Sequence, residues 1–350
     1  MAPDYSRQVA LKEIGAAGQA LLGRSRVLVV GAGGLGSPVL QYLAGAGVGS
    51  ITVIDHDTLD PSNLHRQPLY SIDDAGRAKT ELAVAALAKL NPQVRVVART
   101  ERFGPANALE LVADHDLTVD CSDNFRTKFL VNDAAVLAAR PAVFASVYQY
   151  EGQLQVYKPD REHACLRCLW PEATADGVVG NCAEAGVLGP VPGALGAMQA
   201  TLALEILLGI GTQLRGEVLL FDFQRFSTLT LRAPRHHACE APRCCRIQEI
   251  EPEDPPDLEV TLGSLDEASA HGWTVIDVRS AEEVAAQPAA GLHCPLAQIL
   301  SGEAALTREV AYVLVCATGK RSLAAARALH RRGYTARSLA GGLARLERAR

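Results

Sequence analysis

The sequence lacks a strong excess of charge of one sign, an N-terminal signal segment and any evident membrane span. Its formal net charge is −5 over 350 residues, which gives no general reason to expect binding to nucleic acid or to a membrane. Residues 1–12 lack the apolar core of a signal peptide. We also expect no apolar run near the roughly 18 residues that a membrane span requires. These absences predict a cytoplasmic protein.

The composition is that of a soluble globular protein with more than one domain. The chain is 48% hydrophobic and 21% charged, and 350 residues suffice for two packed domains. It contains nine cysteines. In the absence of a secretory signal, such cysteines are more plausibly metal ligands, nucleophiles or buried thiols than disulfides.

A glycine-rich turn after a buried strand organises the first part of the chain. Apolar residues Val27 to Val30 lead directly into a Gly-x-Gly-x-x-Gly pattern. Backbone N–H groups at such a strand-to-helix turn point towards a phosphate. Asp55 ends the next predicted strand, where a carboxylate accepts hydrogen bonds from ribose hydroxyls, although a dehydrogenase would look the same. The glycines of the turn are Gly31, Gly33, Gly34 and Gly36.

Alternating strand and helix patterns continue to about residue 124 and predict a mostly parallel sheet. Because the loops of such a sheet gather at the carboxyl ends of its strands, Asp55, Arg66 and Asp123 should converge on one edge. Cations beside a carboxylate suit the breaking of a phosphate bond, since they stabilise the leaving pyrophosphate while the carboxylate holds Mg²⁺. The further residues that we place at this nucleotide site are Asp57, Asn63, Lys79 and Asn124.

Two cysteine groups in the middle of the chain predict a structural zinc site. Cys165 and Cys168 form a C-x-x-C pair, and the second half should lie between residues 236 and 245. We take Cys239 and Cys244 as the second pair, with Cys245 or a histidine as the alternative ligand. Four thiolates around Zn²⁺ fold a segment that has little core of its own.

An acidic, proline-rich stretch at residues 249–257 predicts a linker. Beyond it, Cys316 follows a hydrophobic strand and precedes a predicted helix, a position where backbone N–H groups and adjacent cations stabilise a thiolate. The loop from Cys316 to Arg321 encloses four residues, and this tight cradle suits a persulfide sulfur. Its members are Cys316, Ala317, Thr318, Gly319, Lys320 and Arg321.

The glycine turn, the Ser-Asn-Leu-His-Arg-Gln segment that ends at residue 67 and the Asp-Cys-Ser-Asp-Asn segment that ends at residue 124 resemble the MoeB/ThiF family, relatives of ubiquitin-activating enzymes. The resemblance covers about residues 4–246. It implies that Arg66 and Lys79 contact phosphates and that Asp123 binds Mg²⁺. It also implies that Arg7 reaches into the active site of the other subunit of a homodimer, and that Cys182 attacks the activated substrate.

Residues 258–345 resemble a rhodanese-like domain, on the Asp277-x-Arg279 segment and the Cys316 loop. The family's Gly-His-Ile-Pro-Gly-Ala stretch is represented only by residues 290–295. Together the two resemblances predict an α/β protein: a Rossmann-like adenylyltransferase domain with a mostly parallel sheet and a zinc segment, plus a small α/β rhodanese-like domain. The predicted boundaries are 1–248, a linker at 249–257, and 258–350.

The function that these resemblances imply is ATP-dependent adenylation of the C-terminal Gly-Gly of a small ubiquitin-like sulfur-carrier protein. Sulfur transfer from a persulfide on Cys316 would follow and give a thiocarboxylate. The expected cofactors are ATP, Mg²⁺ and Zn²⁺, and the expected partners are the carrier, a persulfide donor such as a cysteine desulfurase and a second copy of the chain, without nucleic acid or membrane. Two alternatives stay open: adenylation alone with a docking rhodanese-like domain, and a nicotinamide-dependent oxidoreductase.

Overall fold

The computed structural model describes residues 3–170, 186–250, 255, 257–288 and 291–348. The chain forms two compact units, Met1–Pro252 and Glu253–Arg350. Each unit has its own sheet and its own hydrophobic core, so we describe each by itself.

The first unit contains an eight-stranded sheet in the order β3-β2-β1-β4-β5-β6-β7-β8. The strands from β3 to β5 in this order are parallel, and the pairs from β5 to β8 are antiparallel. The predicted mostly parallel sheet is therefore confirmed. The strands are β1 Arg26–Val30, β2 Ser50–Ile54, β3 Arg95–Arg99, β4 Leu117–Asp120, β5 Ala142–Tyr148, β6 Glu151–Tyr157, β7 Glu217–Asp222 and β8 Ser227–Arg232.

Helices cover both faces of this sheet, and strand β1 shows the consequence. Val27 and Val29 belong to one core cluster, whereas Leu28 and Val30 belong to another. A parallel strand covered on both faces needs a continuous apolar run, which is what the sequence supplies here. The helices are α1 Ser6–Val9, α2 Gly15–Leu22, α3 Gly36–Gly45, α4 Lys79–Leu90, α5 Ala108–Ala113, α6 Phe125–Leu137, α7 Leu166–Leu169 and α8 Pro190–Leu208, with 3-10 turns at Pro61–Asn63 and Ile72–Asp74.

Helix α8 corrects the expectation that the chain has no long apolar segment. It has 19 residues, and its most apolar 18-residue window has a mean hydropathy of 1.5. It is therefore long and apolar enough to cross a membrane by length and composition only, and 44% of that window is buried inside the protein. Gln199, at its middle, is fully buried and donates a hydrogen bond from Nε2 to the carbonyl oxygen of Asp120 at 2.8 Å. The helix thus packs against the end of β4. Met198, one residue earlier, is 38% exposed.

The second unit is a smaller α/β domain with a five-stranded parallel sheet in the order β11-β10-β12-β13-β9. Its central strands bury Ile276 and Leu314 completely. The strands are β9 Glu259–Val260, β10 Thr274–Asp277, β11 Leu292–His293, β12 Tyr312–Val315 and β13 Ala336–Leu339. The helices are α9 Asp266–Ala270, α10 Ala281–Ala286, α11 Leu296–Ser301, α12 Lys320–Arg331 and α13 Gly342–Arg348.

Candidate functional sites

The glycine turn between β1 and α3 has room for glycine alone at two positions. Gly31 has φ +100°, and a Cβ there would lie 2.7 Å from the carbonyl oxygen of Cys121. A Cβ on Gly36 would lie 2.1 Å from the carbonyl oxygen of Gly31. Both distances are shorter than real Cβ contacts. The turn therefore packs directly against the segment that follows β4, and its backbone lines the edge of the sheet.

Asp55 connects this turn to the loop after β2. Its carboxylate accepts hydrogen bonds from the backbone N–H of Ala32 and from that of Asp57, each at 2.8 Å. The Tyr70 hydroxyl donates to the carbonyl oxygen of Ala32 at 2.8 Å. Burial, and next the charge of Asp55, raise the pKa of Tyr70 well above its usual range, so its hydroxyl stays protonated and remains a donor.

Lys79, at the first position of α4, points its ammonium group at the same loop. Its Nζ lies 2.8 Å from Oδ2 of Asp57. The Lys79 side chain is only 6% exposed, whereas that of Asp57 is 53% exposed. The structure thus holds a nearly buried cation beside an accessible carboxylate, two residues beyond the aspartate that binds the glycine turn.

The segment with Asn63 and Arg66 lies against the other side of the turn. Asn63 Oδ1 accepts a hydrogen bond from the Asp60 backbone N–H at 3.3 Å and so caps its 3-10 turn. The half-buried Arg66 donates from Nη1 to the carbonyl oxygen of Ser62 at 3.2 Å. A Cβ on Gly34 would lie 3.4 Å from the Arg66 carbonyl oxygen. The loop and the glycine turn are therefore adjacent.

Gln67 is a residue to which sequence reasoning gave no role. It is 2% exposed, and its Nε2 lies 3.6 Å from the position of a Cβ on Gly33. Its Oε1 is buried and has no hydrogen-bond partner among the residues that the structure describes. A buried acceptor without a donor is costly unless a ligand supplies one. The glycine cradle and this acceptor together fit a bound nucleotide or the peptide that reacts with it.

Asp123 and Asn124 follow β4, next to the glycine turn. The Ser122 backbone nitrogen lies 3.4 Å from the position of a Cβ on Gly31. Asp123 is exposed, so its carboxylate is accessible for a cation. Asn124 caps α6, because its Oδ1 accepts a hydrogen bond from the Thr127 backbone N–H at 2.8 Å. This capping bond engages Oδ1 of Asn124, a residue that we placed at the nucleotide site.

Sequence reasoning also missed a buried ion pair beneath this edge. Asp120 is fully buried, and its carboxylate binds Nζ of Lys128. Lys128 Nζ also donates to the carbonyl oxygen of Ala145 at 2.7 Å. This pair connects β4, α6 and β5 directly below Asp123. The i, i+8 spacing of Asp120 and Lys128 carried no signal, because the pair forms only when α6 packs back on the sheet.

We call the sheet edge with the glycine turn (residues 31–36), Asp57, Lys79 and Asp123 the nucleotide edge. Arg7 lies away from the nucleotide edge of its own chain. It is exposed on α1, and the neighbouring Gln8 donates to the carbonyl oxygen of Ala46 at 3.1 Å. Ala46 follows the end of α3, a helix whose first residue is Gly36. Ten helical residues separate the two ends by about 15 Å. Within one chain, the structure does not bring Arg7 to the glycine turn.

The predicted zinc ligands lie together. The Sγ–Sγ distances are 3.8 Å between Cys165 and Cys168, 3.9 Å between Cys168 and Cys239, and 3.4 Å between Cys239 and Cys244. The sulfur atoms of Cys165, Cys168 and Cys244 all lie within 4.8 Å of one another. Four sulfurs at 2.3 Å from a tetrahedral zinc ion are about 3.8 Å apart. Cys165, Cys168 and Cys244 therefore match three ligands of one ion, and Cys239 adjoins two of them as the candidate fourth.

The structure also separates Cys244 from Cys245. Cys244 is buried and faces the first pair, whereas Cys245 is exposed and lies in a second group with His236 and Cys239. A hydrogen bond with Cys165 lowers the pKa of Cys168 far below its usual range, and hydrogen bonds with both of these thiols, and next burial, raise the pKa of Cys244.

Cys316 lies at the end of β12 and points into the first turn of α12. It is 1% exposed, and its Sγ accepts a hydrogen bond from the Ser322 backbone N–H at 3.4 Å, with the Ser322 hydroxyl oxygen at 3.5 Å. Burial alone would raise its pKa. Hydrogen bonds from the Ser322 side chain and from the backbone of Ser322, Thr318 and Arg321 outweigh burial and lower the pKa of Cys316. The loop therefore favours a thiolate.

The rest of the cysteine loop is fixed by glycine and by one ion pair. Gly319 has φ +88°, and a Cβ on Gly342 would lie 2.4 Å from the carbonyl oxygen of Cys316. Arg321 binds Glu283 through two hydrogen bonds of 2.6 Å each. The cation next to Cys316 is therefore already paired with a carboxylate, and Lys320 is exposed.

Cys182, the predicted nucleophile of the first domain, lies outside the described residues. Cys121 and Cys294, to which sequence reasoning gave no chemical role, are buried.

Fold and sites define a nucleotide-binding α/β enzyme that also carries a reactive-cysteine domain. The ThiF family matches residues 5–241, and the rhodanese-like domain matches residues 261–349. The chain belongs to the ThiF family, and a rhodanese-like domain follows the ThiF domain in the same chain. The predicted fold class and family are confirmed, and because adenylyltransferases use ATP, the family implies ATP as the nucleotide.

One curated relative matches about two thirds of the chain, and another matches nearly all of it. The chain is 48% identical over 239 residues to a sulfur carrier protein adenylyltransferase of Thermus thermophilus, a match that covers 67% of this chain and 88% of the relative. It is 36% identical over 366 residues to a probable adenylyltransferase/sulfurtransferase MoeZ of Mycobacterium tuberculosis, covering 97% and 91%. The prediction of an enzyme of this class is confirmed. The crystal structure of E. coli MccB has a TM-score of 0.60 at 23% identity, over 72% of this chain and 75% of that chain, and supports the fold alone.

Proposed function

We propose that this protein adenylates the C-terminal Gly-Gly carboxylate of a small ubiquitin-like sulfur-carrier protein and then converts it into a thiocarboxylate. The observation that carries the proposal is the occurrence, in one chain, of a glycine turn with charged residues at its edge and of a cradled Cys316 with a lowered pKa. The names of two relatives support it. The one from T. thermophilus is a sulfur carrier protein adenylyltransferase, and the one from M. tuberculosis is a probable adenylyltransferase/sulfurtransferase.

The first step takes place at the carboxyl edge of the sheet. A carboxylate oxygen of the carrier attacks the α-phosphorus of ATP, and pyrophosphate leaves. Arg66 and Lys79 stabilise the negative charge on the phosphates, while Asp123 would hold the Mg²⁺ that shields the leaving group. The glycine turn and the residues Asp55, Asp57, Asn63 and Asn124 bind the nucleotide.

A homodimer would complete this site. Arg7 is exposed at the far end of α3 in its own chain, which supports a role in the site of the other subunit. Arg7 of one subunit would then add positive charge beside the phosphates bound by the other subunit.

The second step uses the loop from Cys316 to Arg321. A persulfide donor such as a cysteine desulfurase loads Cys316 with a terminal sulfur. That sulfur attacks the acyl carbon, and the bond to AMP breaks. A thiol then attacks the Cys316 sulfur of this acyl disulfide. The carrier leaves as the thiocarboxylate, and a disulfide forms between Cys316 and the attacking thiol, which a thiol reductant reduces. Cys182 would form a transient covalent link to the carrier.

The remaining predictions on metals, boundaries and location belong to the same proposal. Zn²⁺ bound by Cys165, Cys168, Cys239 and Cys244 would hold the segment between β6 and the linker in place. We take residues 1–248 as the adenylyltransferase domain, 249–257 as the linker and 258–350 as the rhodanese-like domain. The protein would act in the cytoplasm, where its thiols stay reduced.

The test replaces the sulfur donor and leaves the nucleotide edge intact. Cys316→Ala should catalyse carrier-dependent ATP–pyrophosphate exchange at the wild-type rate, because it removes nothing from the edge. It should form no thiocarboxylate, as measured by intact mass spectrometry of a Gly-Gly carrier after incubation with ATP and a persulfide donor. An unchanged yield of thiocarboxylate would contradict the proposal and favour a docking role for the rhodanese-like domain.

A further inference from the structure

The cysteine cluster of the first unit contains more ligands than one zinc ion can use. A tetrahedral ion takes four donors, and Cys165, Cys168, Cys239 and Cys244 satisfy it. Cys245 and His236 are left over, yet both lie against Cys239. Neither is accounted for by the structural site.

These two donors form a second group around Cys239. The Sγ atoms of Cys239 and Cys245 are 3.3 Å apart, and Sγ of Cys245 lies 3.9 Å from Nδ1 of His236. All three ligand atoms lie within 4.8 Å of one another. Around a tetrahedral zinc ion, sulfur pairs are about 3.8 Å apart and nitrogen–sulfur pairs about 3.5 Å. Small side-chain movements would give three ligands to a common ion.

The hydrogen bonds at these atoms favour metal binding. Nδ1 of His236 accepts a hydrogen bond from the Ala238 backbone N–H at 3.3 Å, so this nitrogen carries the lone pair, and a metal ion would take the place of that N–H. Sγ of Cys239 accepts a hydrogen bond from the Cys245 backbone N–H, also at 3.3 Å. A donor at Cys239 stabilises negative charge on the sulfur that both groups share.

The charge of the inner site favours a second cation as well. Zn²⁺ with four thiolates carries a net charge of two negative units. Buried negative charge without a partner is costly, and a cation bound beside Cys239 would reduce it.

We propose that His236, Cys239 and Cys245 bind a second divalent metal ion of the zinc type, which shares the Cys239 thiolate with the inner ion. Cys245 is exposed and His236 is half-buried. The outer ion therefore keeps one coordination position open to solvent and exchanges faster than the inner ion. The inner ion has four protein ligands, of which Cys165, Cys239 and Cys244 are buried.

Zinc content tests this proposal without reference to catalysis. The full-length chain is reconstituted with excess Zn²⁺ under reducing conditions, desalted, and analysed for metal per chain. We expect two ions in the wild type and one in each of Cys245→Ser and His236→Ala. A chromophoric chelator should remove the outer ion first. The matched control is His237→Ala, because His237 stacks on His236 but lies outside the three-ligand group, and it should retain two ions.

Three results would overturn the proposal. One ion in the wild type would mean that Cys245 and His236 are spare side chains. Two ions in either variant would show that the removed group is not a ligand of the outer ion. No ion in folded Cys245→Ser, with its circular dichroism unchanged, would place Cys245 in the inner site in place of another cysteine.

Discussion

The nucleotide edge and the Cys316 loop are built in opposite ways. At the edge, charged side chains come from separate elements: Lys79 begins α4 and meets Asp57 in the loop after β2, 22 residues earlier. In the loop, one residue is held by its immediate neighbours, since Cys316 and Ser322 are six residues apart. Most of the donors to the Cys316 sulfur are backbone N–H groups.

This difference predicts how each centre responds to substitution. At the edge, the substitution of a charged side chain removes its whole charge, because no backbone group supplies that charge. A side-chain change in the loop leaves the backbone donors in place. Single substitutions should therefore reduce adenylation severely and persulfide chemistry mildly, except at Cys316 itself.

The largest effect should follow Lys79→Ala. The ammonium group is nearly buried and lies beside Asp57. In the role that we propose for it, removal of one preorganised charge costs about 10²–10³ in rate. We expect a loss of this size in carrier-dependent ATP–pyrophosphate exchange. Lys79→Arg is the matched control and should recover part of the rate, because it keeps the charge.

The comparison would break if Lys79→Ala also slowed alkylation of Cys316 by iodoacetamide. The hydrogen bonds that lower the pKa of Cys316 come from Thr318, Arg321 and Ser322, so that rate should equal the wild-type rate. Loss of both activities would indicate a general folding defect.

An intermediate effect should follow Ser322→Ala. The Ser322 hydroxyl helps to lower the pKa of Cys316, so its removal should raise that pKa towards 9.0, the ordinary value. Because the thiolate is the reactive form, the pH profile of alkylation should move to higher pH. At a pH below the pKa, raising the pKa by one lowers the thiolate fraction, and with it the rate, about tenfold. The three backbone donors remain, so the pKa should rise only part of the way.

Thr318→Ala is the control for this change, since Thr318 contributes its backbone N–H and keeps it after substitution. An identical pH profile is expected. A profile for Ser322→Ala that overlies the wild type would mean that the backbone alone sets the thiolate.

The smallest effect should follow Glu283→Gln. Its pair with Arg321 is about 40% exposed on each side chain, and exposed pairs contribute little. Arg321, and next the Ser280 backbone, lower the pKa of Glu283 to about 2. The pair therefore contributes fully above 4.5, the ordinary pKa, and this contribution is lost as pH falls through about 2. Alkylation of Cys316 at neutral pH should change less than in Ser322→Ala.

Local patterns explain what the sequence predicted well. The strand, turn and helix around the glycine turn, and those around Cys316, depend on residues close in sequence, so local signals were sufficient to predict these elements. The four expected zinc ligands also lie together, because C-x-x-C fixes half of such a site. The choice between Cys244 and Cys245 was left open, since two adjacent cysteines have the same spacing and only burial separates them.

Long-range packing explains what the sequence did not predict. The Asp120–Lys128 pair and the unpartnered Gln67 acceptor exist only after helices and loops pack on the sheet. We expected no apolar run near 18 residues, but helix α8 is one by length and hydropathy, and Met198 on it is exposed.

The most direct test of the central claim follows one sulfur atom. Enzyme loaded with a labelled persulfide at Cys316 is mixed with carrier and ATP, and both proteins are followed by intact mass spectrometry. The account predicts that the carrier gains the labelled sulfur as a thiocarboxylate while Cys316 loses it, and only when ATP is present. Accumulation of adenylated carrier while the label stays on Cys316 would contradict the account.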